Sequence, residues 1–190
     1  MGGVFINYRA ADSTAYAALL HEYLSRELGP ALVFLDSESI DAGADYVHEL
    51  TSRVRRSEVL LAVVGPGWLA RRADGTRALD DPADWIRREL VEAFTHRVPV
   101  IPVLVDGARP LPEPELPGDI AGLARCQYRQ LRHRDAGADL RRLLEELRRL
   151  FPALGAAGAA PTDTPPVSMT GLAFDHGRVY QAAGDQRINE

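Results

Sequence analysis

Five short apolar runs alternate with longer amphipathic stretches along the first 150 residues. The runs are Val4-Phe5-Ile6-Asn7-Tyr8, Leu32-Val33-Phe34-Leu35, Val59 to Val64, Val98 to Val105, and Cys126-Gln127-Tyr128-Arg129-Gln130-Leu131. Each has the length of a strand rather than a helix, and the third and fourth are almost unbroken in Val, Leu, Ile and Ala. That is the pattern of central parallel strands covered on both faces. Pro99 and Pro102 each remove a ladder donor, so the fourth strand should be irregular near its start.

The stretches between the runs carry helical spacing. From Ser13 to Leu28, Ala17, Leu20 and Leu24 share one face, and Gly29-Pro30 terminates the helix. From Ala44 to Arg56, Val47, Leu50 and Val54 do the same. Asp81-Pro82 reads as an N-cap followed by proline at the first helical position, opening a helix whose inner face is Ile86, Leu90 and Phe94. Asp119 to Ala124 suits a short helical turn, and Asp139 to Leu150 a strongly amphipathic last helix. Strands alternating with helices imply βαβ units and a parallel sheet with helices on both faces. The expected fold is therefore α/β, a flavodoxin-like doubly wound five-stranded parallel sheet with strand order 2-1-3-4-5.

After residue 150 the pattern stops. Residues 151–170 are rich in Ala, Gly, Pro and Thr and read as a linker with almost nothing to bury. In 171–190, Leu172-Ala173-Phe174, the turn signal Asp175-His176-Gly177 and Val179-Tyr180 suggest a small hairpin or docking peptide. A disordered tail is the equal alternative, because two strands alone are barely stable.

Composition narrows the function classes. The net charge of -5 argues against a general affinity for nucleic acid, which needs a basic face. All 22 basic residues are Arg, which reads as codon bias of a GC-rich genome more readily than as phosphate binding. The lone Cys126 excludes an intrachain disulfide framework and suits a reducing compartment. No apolar stretch approaches the roughly 18 residues of a membrane span, and no signal peptide is visible. The expected location is cytoplasmic, with no membrane partner. The five histidines lack metal-ligand spacing, so no metal site is expected. Gly65-Pro66-Gly67 has neither the Lys-Ser/Thr of a P-loop nor the third Gly of a dinucleotide fingerprint. Glu145-Glu146 and the arginines around them read as a solvated helix face.

Ligands of doubly wound sheets bind beyond the carboxyl ends of the strands, where the strand order reverses. Tyr8 and Arg9, the segment from Asp36 to Gly43, and the long segment 65–84 occupy such positions. Trp85 and Glu89, four residues apart, share a helix face with Cβ atoms about 6 Å apart. An aromatic plate beside a carboxylate suits a ribose-bearing ligand, the carboxylate accepting hydrogen bonds from both hydroxyls.

An ordered set of motifs gives this site a sharper reading. Val4-Phe5-Ile6-Asn7-Tyr8-Arg9, then Val33-Phe34-Leu35-Asp36 with Ile40-Asp41-Ala42-Gly43, then Val64-Gly65-Pro66-Gly67-Trp68-Leu69, then Trp85-Ile86-Arg87-Arg88-Glu89 as Trp-x-x-x-Glu, and finally Val100 to Gly107 follow one another in the chain. Together they resemble the Toll/interleukin-1 receptor (TIR) domain family, in its bacterial, NAD+-cleaving form, over residues 1–150. The resemblance implies an NAD+ glycohydrolase, with or without cyclisation of ADP-ribose, serving as an effector in a bacterial immune or conflict system. NAD+ would be substrate rather than cofactor, and no cofactor is expected. It implies Glu89 as the catalytic group, Arg9 on the diphosphate, Tyr8 and Trp85 against ring systems, and Asp36, Asp41 and Gly43 in the segment that closes the site or meets a neighbouring subunit. Implied partners are other TIR domains, and a sensor protein or fused domain reached through the C-terminal tail. Some NAD-cleaving relatives carry an aromatic in the loop after the fourth strand; here Ala108 to Pro114 has none, and Trp68 could replace it only if segment 65–84 folds back.

Each residue also has a plainer reading. Glu89 would be a solvated charge near a helix start, Trp85 a cover on the core, and Arg9 an ion-pair partner of Asp36 or Asp12. At the level of the whole chain, a non-catalytic TIR–TIR interaction module is the main alternative. A nucleoside deoxyribosyltransferase-like enzyme is a more distant one, disfavoured by Ile40-Asp41-Ala42-Gly43.

Overall fold

Unbroken burial along β1 (Val4–Tyr8) sets the architecture, because a strand between two helical layers must offer apolar side chains to both. A computed structural model describes residues 2–35 and 46–154. Asp36, Asp41, Gly43, the rest of the linker and 171–190 lie outside the described residues. After β1 the elements run α1 (Ala10–Leu28), β2 (Val33–Leu35), α2 (Tyr46–Arg56), β3 (Val59–Val64), α3 (Trp85–Thr95), β4 (Val100–Val105), β5 (Arg129–Leu131) and α4 (Ala136–Leu150), with short 3-10 turns between them. All five strands are parallel, in the order β2-β1-β3-β4-β5. The expected doubly wound sheet is thus present, with its order reversing between β1 and β3.

The two layers are chemically distinct. Val4, Ile6 and Tyr8 of β1, with Val59, Leu61 and Val63 of β3, pack against Ala17, Leu20 and Leu24 of α1 and Leu140, Leu144 and Leu147 of α4. On the opposite face Phe5, Leu60, Ala62 and Val64 meet Val54 of α2 and Ile86, Leu90 and Ala93 of α3. Tyr8 therefore lies on the α1/α4 side of the sheet.

Several expected boundaries move, each for a local reason. α1 begins at Ala10 rather than Ser13, but Ser13 itself is non-helical at φ −137° and ψ 20°, so an opening turn is joined to the main helix through a kink. α3 begins at Trp85, not at Asp81-Pro82. Asp81 instead caps a separate turn by accepting from the Ala83 amide, and Asp84 is the N-cap, accepting from Arg87 N–H at 3.2 Å. β4 is regular on the β3 side, where Pro102 pairs in register with Ala62. The interruption falls on the other side: β5 joins β4 only from Val103 onward, one residue past the proline. β5 is accordingly three residues long, and Cys126 ends a 3-10 turn instead of lying in a strand.

Two further corrections concern the last helix. α4 starts at Ala136, three residues before Asp139, whose buried carboxylate accepts from the backbone N–H and guanidinium of Arg132 at 3.0–3.1 Å. Those bonds hold its carboxyl below the usual range, the Arg132 side chain being the main cause. Glu146 is not merely solvated: it binds Arg129 of β5 and pins the edge strand to α4, and the same guanidinium lowers its carboxyl. Finally, the core continues beyond residue 150. Phe151 packs against it, and Leu154 is fully buried among the α1/α4 side chains, so the first residues assigned to the linker belong to the domain.

Candidate active site

The face of α3 turned to the sheet carries Ile86, Glu89, Leu90 and Ala93, all buried. This is the i, i+3, i+4, i+7 stripe of an amphipathic helix with a carboxylate in one of its apolar places. Glu89 is 1 % exposed, which removes the reading as a solvated helix-start charge. Burying a carboxylate is costly unless hydrogen bonds replace its water. Asn7 supplies one. Its Nδ2 donates to Glu89 Oε2 at 2.6 Å and to the Ile86 carbonyl at 3.3 Å. Both partners are acceptors, so the orientation of the amide is fixed by its surroundings.

Asn7 reaches α3 because β1 alternates. Phe5 and Asn7 point to the α2/α3 layer, whereas Ile6 and Tyr8 point away from it. Tyr8 is 9 % exposed within the α1/α4 layer, on the opposite side of the sheet from Glu89, and the structure does not bring the two together. Asn7, absent from the expected site residues, takes the position facing Glu89. Its signal was present in the sequence as the one polar residue inside an otherwise apolar buried strand.

Just after β1, Arg9 grips Asp84 with two parallel bonds of 3.0 Å each. Both side chains are largely shielded, at 17 % and 11 % exposure. The partner is neither Asp36 nor Asp12. Asp84 thus does two jobs, capping α3 and fixing its first turn to the exit of β1. Arg9 spends both terminal nitrogens on this pair, which leaves the expected diphosphate contact without a free fork in this conformation. Trp85 is half-buried against the α2/α3 layer, with the Arg88 guanidinium 4.4 Å above its ring. It covers the core flank and still borders the first turn of the helix that bears Glu89.

Asp12 has a different task. It accepts from the backbone N–H groups of Gly65 at 2.9 Å and Gly67 at 2.7 Å. A Cβ at Gly65 would lie 2.4 Å from the Asp12 carboxylate, so the loop approaches closely because residue 65 has no side chain. The neighbouring Ser13 hydroxyl donates to the Val63 carbonyl at 3.5 Å. The kinked opening turn of α1 is therefore tied to the end of β3 at the point where the strand order reverses.

Segment 65–84 folds back on itself. It forms a small hairpin closed by the Arg71–Arg77 bridge, with the Asp74 carboxylate accepting from the backbone N–H of Thr76. Next to it, the exits of β3 and β4 border a cleft of about 500 Å³ lined by Pro66, Trp68, Leu69, Arg109, Pro110 and Leu111. Trp68 is 2 % exposed and forms part of the cleft wall, so it offers no free ring face in place of the aromatic missing from the loop after β4. Among the described residues no cluster of His, Cys, Asp and Glu could hold a metal ion. No helix among them is long and apolar enough to cross a membrane.

Comparison with known proteins places this geometry in context. The family model described as the TIR domain matches residues 4–144. The chain is 31 % identical over 122 residues to the NAD(+) hydrolase sarm1 of Drosophila melanogaster, covering 64 % of this chain and 8 % of that protein. It is 29 % identical over 118 residues to the NAD(+) hydrolase tir-1 of Caenorhabditis elegans, covering 62 % and 11 %. It is 27 % identical over 146 residues to the NAD(+) hydrolase SARM1 of Danio rerio, covering 76 % and 19 %. The chain thus spans less than a fifth of the length of each of these relatives. Among solved structures, the TIR domains of an activated Roq1 resistosome that directly recognises the pathogen effector XopQ match with a TM-score of 0.58 at 14 % identity, over 77 % of this chain and 99 % of that one. That likeness is one of fold.

Proposed function

The chain belongs to the TIR domain family, and from that premise we propose that it cleaves the nicotinamide–ribose bond of NAD+, with Glu89 as the catalytic residue. The observation that carries the reading is a carboxylate held by an amide in the apolar stripe of α3, in a chain whose relatives include NAD+ hydrolases. The chemistry needs little else. Nicotinamide is attached as a pyridinium and departs neutral with the bonding pair, so no general acid has to protonate it. The ribose left behind has oxocarbenium character, and a fixed negative charge in a partly dry site stabilises it. Water then adds to the anomeric carbon and loses a proton, giving ADP-ribose; attack by a nucleophile of the adenine would give a cyclic product instead. Trp85 borders the ring systems, and Arg9 with Asp84 holds the first turn of α3 in place.

At 1 % exposure Glu89 meets a ribose only after the groups around it shift. We read the described conformation as a resting one that opens when TIR domains assemble, and the protein as an effector of an immune signalling system. The test compares wild type with Glu89→Ala, incubated with NAD+ at high protein concentration, nicotinamide being quantified by chromatography. Wild type should release nicotinamide with a rate that rises more than proportionally with protein concentration. Glu89→Ala should lose about 100-fold or more in rate. Undiminished turnover by that variant refutes the assignment of Glu89. A wild type that assembles yet leaves NAD+ intact favours the second reading, a TIR–TIR interaction module, for which the closed state of Glu89 is the supporting observation.

A further inference from the structure

We propose that Asn7 is a positioning residue for Glu89, fixing both the place and the charged state of its carboxylate; the proposal rests on the reading of Glu89 as the group that meets the ribose. Asn7 is fully buried in the middle of an apolar strand, where an amide is costly unless its bonds are used. Both of its N–H donors are engaged, and both reach the same turn of α3: one the Ile86 carbonyl, the other Glu89 Oε2. Residues 86 and 89 are three apart, so the amide brackets the turn that aims the carboxylate. A neutral donor at 2.6 Å favours the carboxylate over the carboxylic acid while adding no charge that would compete with a cationic ribose. An Arg or Lys in its place would neutralise the charge that the chemistry needs.

Among the described residues, several charged groups around α3 are engaged with partners of their own. From β1's exit, Arg9 is bound to Asp84. From α2, Arg55 is bound to Glu92, which also meets His96 at 3.0 Å. On α3 itself Arg87 pairs with Asp119 at 2.9 Å and Arg88 lies over Trp85. β4, also packed against α3, carries no ionisable side chain. Asn7 is therefore the group on β1 that reaches Glu89 directly.

The experiment uses the full chain under the conditions that give turnover, with Asn7→Ala, Asn7→Ser and Asn7→Asp. Asn7→Ala should lower kcat by about 10- to 100-fold while KM changes by less than about threefold, because the substrate still binds but the carboxylate is misplaced. Asn7→Ser keeps a shorter donor and should fall between Ala and wild type. Asn7→Asp puts a second carboxyl beside Glu89, and the pair must hold a proton to higher pH. The acidic limb of its kcat profile should move up by about one pH unit or more. Folded variants with wild-type kcat and an unmoved pH profile overturn the proposal, whatever their thermal stability; if Asn7→Asp does not fold, the Ala and Ser variants decide through the kcat and KM comparison. If wild type releases no nicotinamide, or Glu89→Ala keeps its turnover, the NAD+ reading fails separately. The Glu89 carboxyl is then followed directly by 13C NMR. A titration midpoint that rises in Asn7→Ala retains Asn7 as the residue that holds this carboxylate charged, and an unchanged midpoint removes it.

Discussion

Replacing Asp12 by alanine should cost more stability than its surface position on the first turn of α1 suggests. The carboxylate accepts two backbone N–H groups, from Gly65 at 2.9 Å and Gly67 at 2.7 Å. A hydrogen bond to a charged group contributes about 1.5–3 kcal/mol, but water can recover part of the loss wherever the freed donor is accessible. Gly65 is buried, whereas Gly67 is only half-buried. The Gly65 amide then carries most of the penalty, and the Gly67 amide rehydrates. Loss of an acidic group from the first turn of a helix adds about 0.3–1 kcal/mol. The sum is about 2–4 kcal/mol, measured by urea unfolding followed through Trp68 and Trp85 fluorescence. Gly65→Ala tests the same contact from the other side. Its Cβ would lie 2.4 Å from Asp12 Oδ2, so it too should destabilise the wild-type protein. In the Asp12→Ala background that clash is gone, and the second substitution should cost much less than it does alone. A loss below about 0.5 kcal/mol for Asp12→Ala, or strictly additive effects of the two substitutions, would refute the reasoning.

Three further outcomes follow from other parts of the molecule. Asp84→Ala removes the α3 N-cap and strands a shielded Arg9, and should lower unfolding free energy by about 2–4 kcal/mol; a change under about 0.5 kcal/mol in chemical denaturation counts against the double role of Asp84. The Asp139 carboxyl is depressed in the folded state, chiefly by the Arg132 side chain. A group of this sign adds stability above its ordinary, unfolded value of 3.8, and loses it as pH falls through the lower folded value. Melting temperature should therefore drop as pH falls below about 5, and less so in Asp139→Asn. Ending the chain after Leu150 removes the fully buried Leu154 together with Phe151, at a cost of about 2–5 kcal/mol. A chain ending after Leu154 should retain those contacts, and equal melting temperatures for the two lengths would contradict the extended core.

The layers of the fold were legible because burial on both faces leaves a run of Val, Leu, Ile and Ala that little else produces. β3 matches its expected span, Val59 to Val64. What misled at element ends was chemistry that serves two purposes. Asp81-Pro82 carries a strong helix-start signal, yet Asp84 makes the start because Arg9 binds it there, and no local pattern announces a partner 75 residues away. Leu154 looked like part of an Ala-rich linker because a single leucine has no periodicity; only α1 and α4 together provide its pocket.

The site shows the same division. Trp85 and Glu89 could be paired from spacing, since four residues on a helix fix a shared face. Which way that face looks was not contained in the pair. The companion spacing from Ile86 through Glu89 and Leu90 to Ala93 shows that Glu89 belongs to the inward stripe, and strand alternation shows that Asn7, not Tyr8, shares its side of the sheet. Those two periodicities, one of a helix and one of a strand, meet only where α3 crosses the end of β1. A polar residue inside each apolar pattern, when both point into the same layer, is therefore a stronger signal than either alone. Each is expensive to bury singly, and the 2.6 Å bond between them offsets part of both costs.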